Sequence, residues 1–351
     1  MPIRLTHLAG AWLAAGLGLA VPGWGGMSGF AGADEKGRGD VGVSLERVEY
    51  KGWKNNVKLS NGEVELIVTL EVGPRVISYR RLDGKNVFKN YDEMMGKTGE
   101  SEWMIRGGHR LWAAPEDTTR TYAADNGPVA FRDLGGGEAR FTPGVETAYG
   151  IQKEMDVKLE PEGSKVRLTQ RITNVGKEAT MLAVWSLSVM APGGVEIIAL
   201  PASRPHPGNP KNAKSAADFA PSLTIVGWPF TDFQDSRWRF GSKFITLTQD
   251  ASKGATKLGL AHRTGGVGYL NGGTLFVKRF EYRDGAAYPD NGVNYETFTN
   301  EDMLEMESLG PLVTLGAGRS VEHVETWEIF DGIGAARTEA EIEAKVGGKL
   351  R

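Results

Sequence analysis

From Val43 onward the chain repeats one pattern, short apolar runs alternating with polar residues and closed by turn residues. Val57-Lys58-Leu59 leads through Ser60-Asn61-Gly62-Glu63 into Val64-Glu65-Leu66-Ile67-Val68-Thr69-Leu70. Asn-Gly between alternating runs is the strongest short-range hairpin signal, so the chain opens with a β meander. The run 75–82 before Asp83-Gly84 extends it. Further strands are expected at 151–159, 165–174, 180–190, 196–200, 243–249, 257–262, 268–270, 274–282, 303–309 and 320–330. Two stretches, 91–124 and 201–239, lack the pattern. Irregular segments of that length in a compact domain either shape a binding site or cover a sheet edge. Only 339–350 reads as a helix, with Gly347-Gly348 expected to end it. Many strands, few short helices and long loops predict an all-β fold, a large two-sheet sandwich over 43–331 with a helical tail at 332–351.

The N-terminal segment follows a different rule. Arg4 precedes an apolar run from Leu8 to Val21, and Ala31-Gly32-Ala33 stands directly before Asp34-Glu35-Lys36. That is the order of a secretory signal peptide, 1–33, cut after Ala33, and it implies a periplasmic or extracellular protein. The apolar run falls short of the roughly 20 residues that cross a bilayer as a helix, so no membrane span is expected after cleavage; the alternative reading is an uncleaved N-terminal anchor.

Composition removes several chemistries. With no cysteine there is no disulfide framework, thiolate metal site or cysteine nucleophile. The 48 Gly, 16 Pro and 9 Trp suit a turn-rich β protein with aromatic platforms. A formal net charge of −3 without a Lys/Arg stripe argues against nucleic acid. No His has a second ligand at metal spacing, and neither a phosphate loop nor a Gly-x-Ser-x-Gly elbow occurs, so no metal or cofactor is expected.

Three segments carry the remaining chemistry. Arg106-Gly107-Gly108-His109-Arg110-Leu111-Trp112 followed by Glu116 gathers imidazole, guanidinium, indole and carboxylate behind two glycines. It is either a loop around a ligand, with His109 moving protons and Trp112 facing a sugar ring, or an ion-pair network of purely structural use. In Leu304-Glu305-Met306-Glu307-Ser308 a strand would put Glu305 and Glu307 on one face. Lining a pocket, the two like charges would raise the pKa of at least one and suit acid–base work; otherwise they form a solvated face. Lys278, which a strand would put on one face with Phe280 and Tyr282, suits a sugar hydroxyl or carboxylate, although such pairs are also ordinary between strands.

A resemblance then adds to this reading. Gly73-Pro74-Arg75-Val76-Ile77-Ser78, then Ile172-Thr173-Asn174-Val175-Gly176 leading into Val184-Trp185-Ser186-Leu187, then Glu305-x-Glu307, then Leu315-Gly316-Ala317-Gly318 before Glu325-x-Trp327 resemble, in this order, the galactose mutarotase-like superfamily. More narrowly, Gly-Gly-His-Arg-Leu-Trp, Tyr288-Pro289-Asp290 and 304–311 resemble a bacterial domain family of unknown function placed there. The resemblance implies a β-supersandwich whose concave face holds sugars. In its aldose epimerases a Glu base and a His acid exchange protons with the anomeric hydroxyl and the ring oxygen. The Glu corresponds to Glu305 or Glu307. The central His of the epimerase pattern is replaced by Val184-Trp185-Ser186-Leu187, so either His109 supplies the acid or the protein binds sugar without that chemistry. The expected site is therefore His109, Glu305 and Glu307 as catalytic groups, with Arg75, Arg110, Trp112, Trp185 and Lys278 holding a carbohydrate or uronic acid. Two alternatives stay open: a non-catalytic envelope or glycan-binding sandwich, and a lyase in which Lys278 or Arg110 neutralises a uronate while His109 takes the α-proton.

Overall fold

A computed structural model describes residues 42–351, so the expected signal peptide at 1–33 lies outside the described residues. Period-two alternation gives most strands one apolar face, and two antiparallel sheets stack on those faces. The first sheet runs Ser44–Tyr50, Trp53–Ser60, Val64–Thr69, Arg75–Arg81, Gly108–Ala114, Thr180–Met190, Leu304–Leu309, Tyr295–Thr299, Thr256–Leu260 and Ile225–Gly227. The short strand Val313–Leu315 pairs with the start of Thr180–Met190. The second runs Trp238–Phe240, Phe244–Thr248, Val195–Ala199, Gly266–Asn271, Thr274–Phe280, Ser320–Phe330, Val166–Asn174, Ile151–Leu159, Glu138–Pro143 and Val129–Gly135. This is the two-sheet, all-β sandwich expected from the strand pattern. Among the described residues no helix is long and apolar enough to cross a membrane.

The main difference from expectation decides the site. The stretch 91–124, expected to be irregular, contains Gly108–Ala114, a fully buried strand at the centre of the first sheet. Its two faces are both covered, so it shows none of the apolar–polar alternation that marks a half-exposed strand. Gly107 and Gly108 have φ of 86° and 71°, and a Cβ on either would lie within 2.5 Å of the carbonyl oxygen of Lys89 or Val76. The glycines thus let two backbones approach, rather than a backbone and a ligand. The tail also differs, since helical turns run from Glu339 through Gly347-Gly348 to Leu350. It buries Ile342, Val346 and Leu350 against Ile197, Phe244, Leu275 and Val277 on the outside of the second sheet.

Burial holds His262 at about 4, below the ordinary imidazole value of about 6.5. It stays neutral in the folded chain while the unfolded chain takes up a proton. Its contribution to stability is therefore full above about pH 6.5 and is lost as pH falls through 4. Compared by denaturant unfolding with His262→Asn, the wild type is expected to lose about 3 kcal/mol of relative stability between pH 6.5 and 4. A difference that is flat with pH would refute this assignment.

Candidate functional site

Three rows of side chains cross the outer face of the first sheet. Pairing aligns Gly108, Val189, Glu305, Phe298 and Lys257 in one row, and Arg110, Leu187, Glu307, Glu296 and Gly259 in the next. The third row is Trp112, Trp185 and Leu309. Alternation sends these residues away from the core, while Leu111, Val184, Leu304 and Met306 enter it. Loops from both irregular stretches close over the rows with Trp103, Ile105, Tyr122, Trp228 and Phe230, leaving a pocket of about 270 Å³. Gly259 makes room for Trp228, whose ring lies 3.1 Å from where a Cβ would stand.

The floor of this pocket is a buried set of charges. Arg110 Nη1 donates to Glu305 Oε1 at 2.7 Å, and its guanidinium lies 4.2 Å from the centre of the Trp112 ring. Lys257 Nζ stands 2.6 Å from Glu296 and 3.2 Å from Glu307, between the rings of Trp185 and Trp228 at 4.9 and 4.7 Å. Trp185 Nε1 donates to the same Glu307 oxygen at 3.1 Å. Burial raises Glu296 well above the ordinary carboxyl value against the pull of Lys257, with Glu307 and Asp290 adding to the rise. Burial raises Glu307 too, again opposed by Lys257 and assisted by Glu305. The Glu296–Glu307 pair therefore holds a proton more readily than ordinary carboxyls. Burial alone would lower Lys257, but Glu307 and Glu296 outweigh it and keep the ammonium charged.

The structure brings Arg110, Trp112, Trp185, Glu305 and Glu307 together as the sequence led us to expect. It does not bring His109 or Lys278 with them. His109 and Arg110 are neighbours in a strand, so they point to opposite faces, and the imidazole enters the space between the sheets. There His109 Nδ1 meets Ser188 Oγ at 2.9 Å and Nε2 meets Gln170 Oε1 at 3.3 Å. Burial, then the charge of Lys278, hold this imidazole well below its ordinary value, so it is neutral. The expectation of His109 as an acid at the sugar, or as the base of a lyase, is corrected on this ground. Lys278, on the second sheet, pairs with Glu325 of the neighbouring strand at 2.9 Å and reaches across the core to donate to the carbonyls of Met306 and Ser186 at 3.0 and 3.4 Å. Burial lowers its pKa against the opposing pull of Glu325. Arg75 lies under the pocket wall rather than in it. It pairs with Asp125 at 2.9 Å and donates to the carbonyls of Ile105 and Met104, fixing the loop that carries Trp103. The residues missed in the sequence are Lys257, Glu296, Trp103, Tyr122, Trp228, Phe230 and Phe298. Lys257 opens the expected strand 257–262, and Glu296 and Phe298 had a local signal in the β-rich run Tyr295-Glu296-Thr297-Phe298-Thr299.

No protein-family model matches the chain, and no curated protein matches it in sequence. Solved structures do resemble it in fold. A galactose mutarotase-like protein from Lactobacillus casei aligns with a TM-score of 0.53 at 11% identity, over 79% of this chain and 100% of its own. A candidate mutarotase from Salmonella typhimurium aligns with a TM-score of 0.51 at 10% identity, over 84% and 95%. A TPR-domain containing protein from Parabacteroides distasonis aligns with a TM-score of 0.53 at 16% identity over 81% of this chain. This chain spans about half of that protein, 49% of its length. With identities this low the comparison speaks for architecture alone, and it agrees with the two stacked sheets: the described residues fold as a galactose mutarotase-like β-sandwich.

Proposed function

We propose that this is an exported carbohydrate-binding protein that takes one sugar ring on the outer face of the first sheet and exchanges protons at its anomeric centre, as an aldose epimerase does. The observation that carries this reading is the pair Glu305 and Glu307 on the floor of an aromatic-walled pocket, each carboxylate engaged by a cation. Indole faces receive the C–H side of a sugar ring, and the carboxylates face its hydroxyls. A volume of about 270 Å³ suits one ring rather than a long oligomer.

Glu305 takes the proton of the anomeric hydroxyl while the bond from the anomeric carbon to the ring oxygen breaks, leaving an open-chain aldehyde. The ring oxygen receives a proton from the Glu296–Glu307 pair through Glu307, the member that lines the pocket. Rotation and closure on the opposite carbonyl face, with both protons returned, gives the other anomer. Glu307 thus takes the acid role that the resemblance gave to a histidine, because burial keeps its pair protonated where His109 is neutral and out of reach.

The test uses the mature chain, whose mass should place its first residue at Asp34 after export. Hexoses are expected to raise its melting temperature, and polarimetry is expected to show anomer interconversion above the buffer rate. If no sugar shifts the melting temperature, the reading falls; if sugars bind without interconversion, only the chemistry falls.

A further inference from the structure

The charges of the pocket do not balance, and the imbalance bears on what it binds. The lining holds two cations, Arg110 and Lys257, against the Glu116 and Glu305 carboxylates and the Glu296–Glu307 pair, which carries one negative charge while it shares a proton. Both cations are engaged. Arg110 is committed to Glu305 at 2.7 Å, and Lys257 is shared between Glu296 and Glu307 at 2.6 and 3.2 Å. Arg75, whose guanidinium lies 5.9 Å from the centre of the Trp103 ring, is fully buried and held by Asp125 at 2.9 Å. Glu116 sits exposed at the rim, its carboxylate taking a hydrogen bond from the Tyr122 hydroxyl at 2.6 Å and pairing with no cation among the described residues. Its charge nonetheless reaches across the pocket, since it contributes to holding the Lys257 ammonium charged.

We propose that the pocket, on the sugar-binding reading above, selects sugars that carry an amine, takes neutral sugars more weakly and rejects uronates. A uronate carboxylate entering here meets no cation free to receive it, while the Glu305 and Glu116 carboxylates repel it. An ammonium meets the Glu116 carboxylate at the mouth and the rings of Tyr122 and Phe230, whose faces attract cations. A sugar bearing an ammonium supplies the positive charge that Arg110 and Lys257 leave wanting. Selection by charge also removes the lyase alternative, whose uronate substrate needs a cation to spare.

Calorimetric titration of the mature protein at pH 6.5 with galactosamine, galactose and galacturonate, and with the three gluco counterparts, tests this. The amine is expected to bind on the order of tenfold tighter than the neutral hexose, and the uronate on the order of tenfold weaker or not measurably. Glu116→Gln, an exposed change that leaves the fold alone, is expected to reduce the amine-to-hexose ratio severalfold. Uronate binding equal to or tighter than hexose, an amine no tighter than hexose, or a ratio unmoved by Glu116→Gln each overturns the selection while leaving sugar binding intact. Failure of all six sugars to bind overturns both readings together.

Discussion

Glu325→Leu is expected to lower the free energy of unfolding by about 3–5 kcal/mol, the usual cost of stranding one member of a buried ion pair. Glu325 is fully buried between the sheets and is the hub of the interior polar cluster. It accepts from Lys278 at 2.9 Å, from the Ser308 hydroxyl and from Trp327 Nε1 at 2.9 Å. Removing it leaves an ammonium in the core with only the carbonyls of Met306 and Ser186 as acceptors. Loss of the Lys278 proton caps the damage, because burial already depresses that group. The double variant Lys278→Met, Glu325→Leu removes both charges and is expected to regain most of the loss, since apolar replacement of a buried pair is often neutral. Denaturant unfolding of the two single variants and the double variant completes the cycle. A single-variant cost below about 1 kcal/mol would mean that Glu325 does not hold the Lys278 charge. The pair bears on the site as well, because Met306 lies between Glu305 and Glu307, and Ser186 between Trp185 and Leu187. Lys278 thereby ties the second sheet to the backbone of both pocket strands.

The other large effect is expected at the pocket floor. Glu305→Gln and Glu307→Gln are each expected to slow anomer interconversion on the order of 10²-fold or more while a sugar still binds, the signature of a lost proton-transfer group. Glutamine keeps the shape of either side chain, and in Glu307→Gln the Lys257 ammonium retains Glu296 as its partner at 2.6 Å. The fold should therefore survive both changes. His109→Gln serves as the control that separates this arrangement from the one expected on sequence grounds. Its effect should appear as lost stability, with the interconversion rate of the folded fraction unchanged. A rate collapse in His109→Gln with normal rates in both glutamate variants would sink the carboxylate mechanism.

Much of the first expectation was legible because alternation is a local signal. Glu305 and Glu307 sit two residues apart, and a strand of any register places them on one face. The same rule, applied to the 106–116 segment, would have separated His109 from Arg110. Gly107-Gly108 and the polar residues around them read instead as a loop. A central strand with both faces buried carries large or polar side chains on each face, and nothing in its own residues distinguishes it from a loop. Lys257 illustrates a second limit. It lies in a segment correctly expected to be a strand, yet its role depends on Glu307 and Glu296, which come from two other strands.

By itself the sequence determined the two-sheet, all-β architecture, the absence of cysteine chemistry and the pairing of Glu305 with Glu307, because each follows from composition or from the period of two along a single strand. The tertiary structure decided the rest. It put Gly108–Ala114 at the centre of the first sheet, and so sent Arg110 and Trp112 to the pocket and His109 to the core. It brought Lys257, Glu296 and Trp228 together at the same pocket from distant parts of the chain. It also turned Lys278 inward to Glu325. Such assignments depend on strand order and on which face of each sheet the other sheet covers, and those are set by packing over the whole domain rather than by any residue's neighbours in sequence.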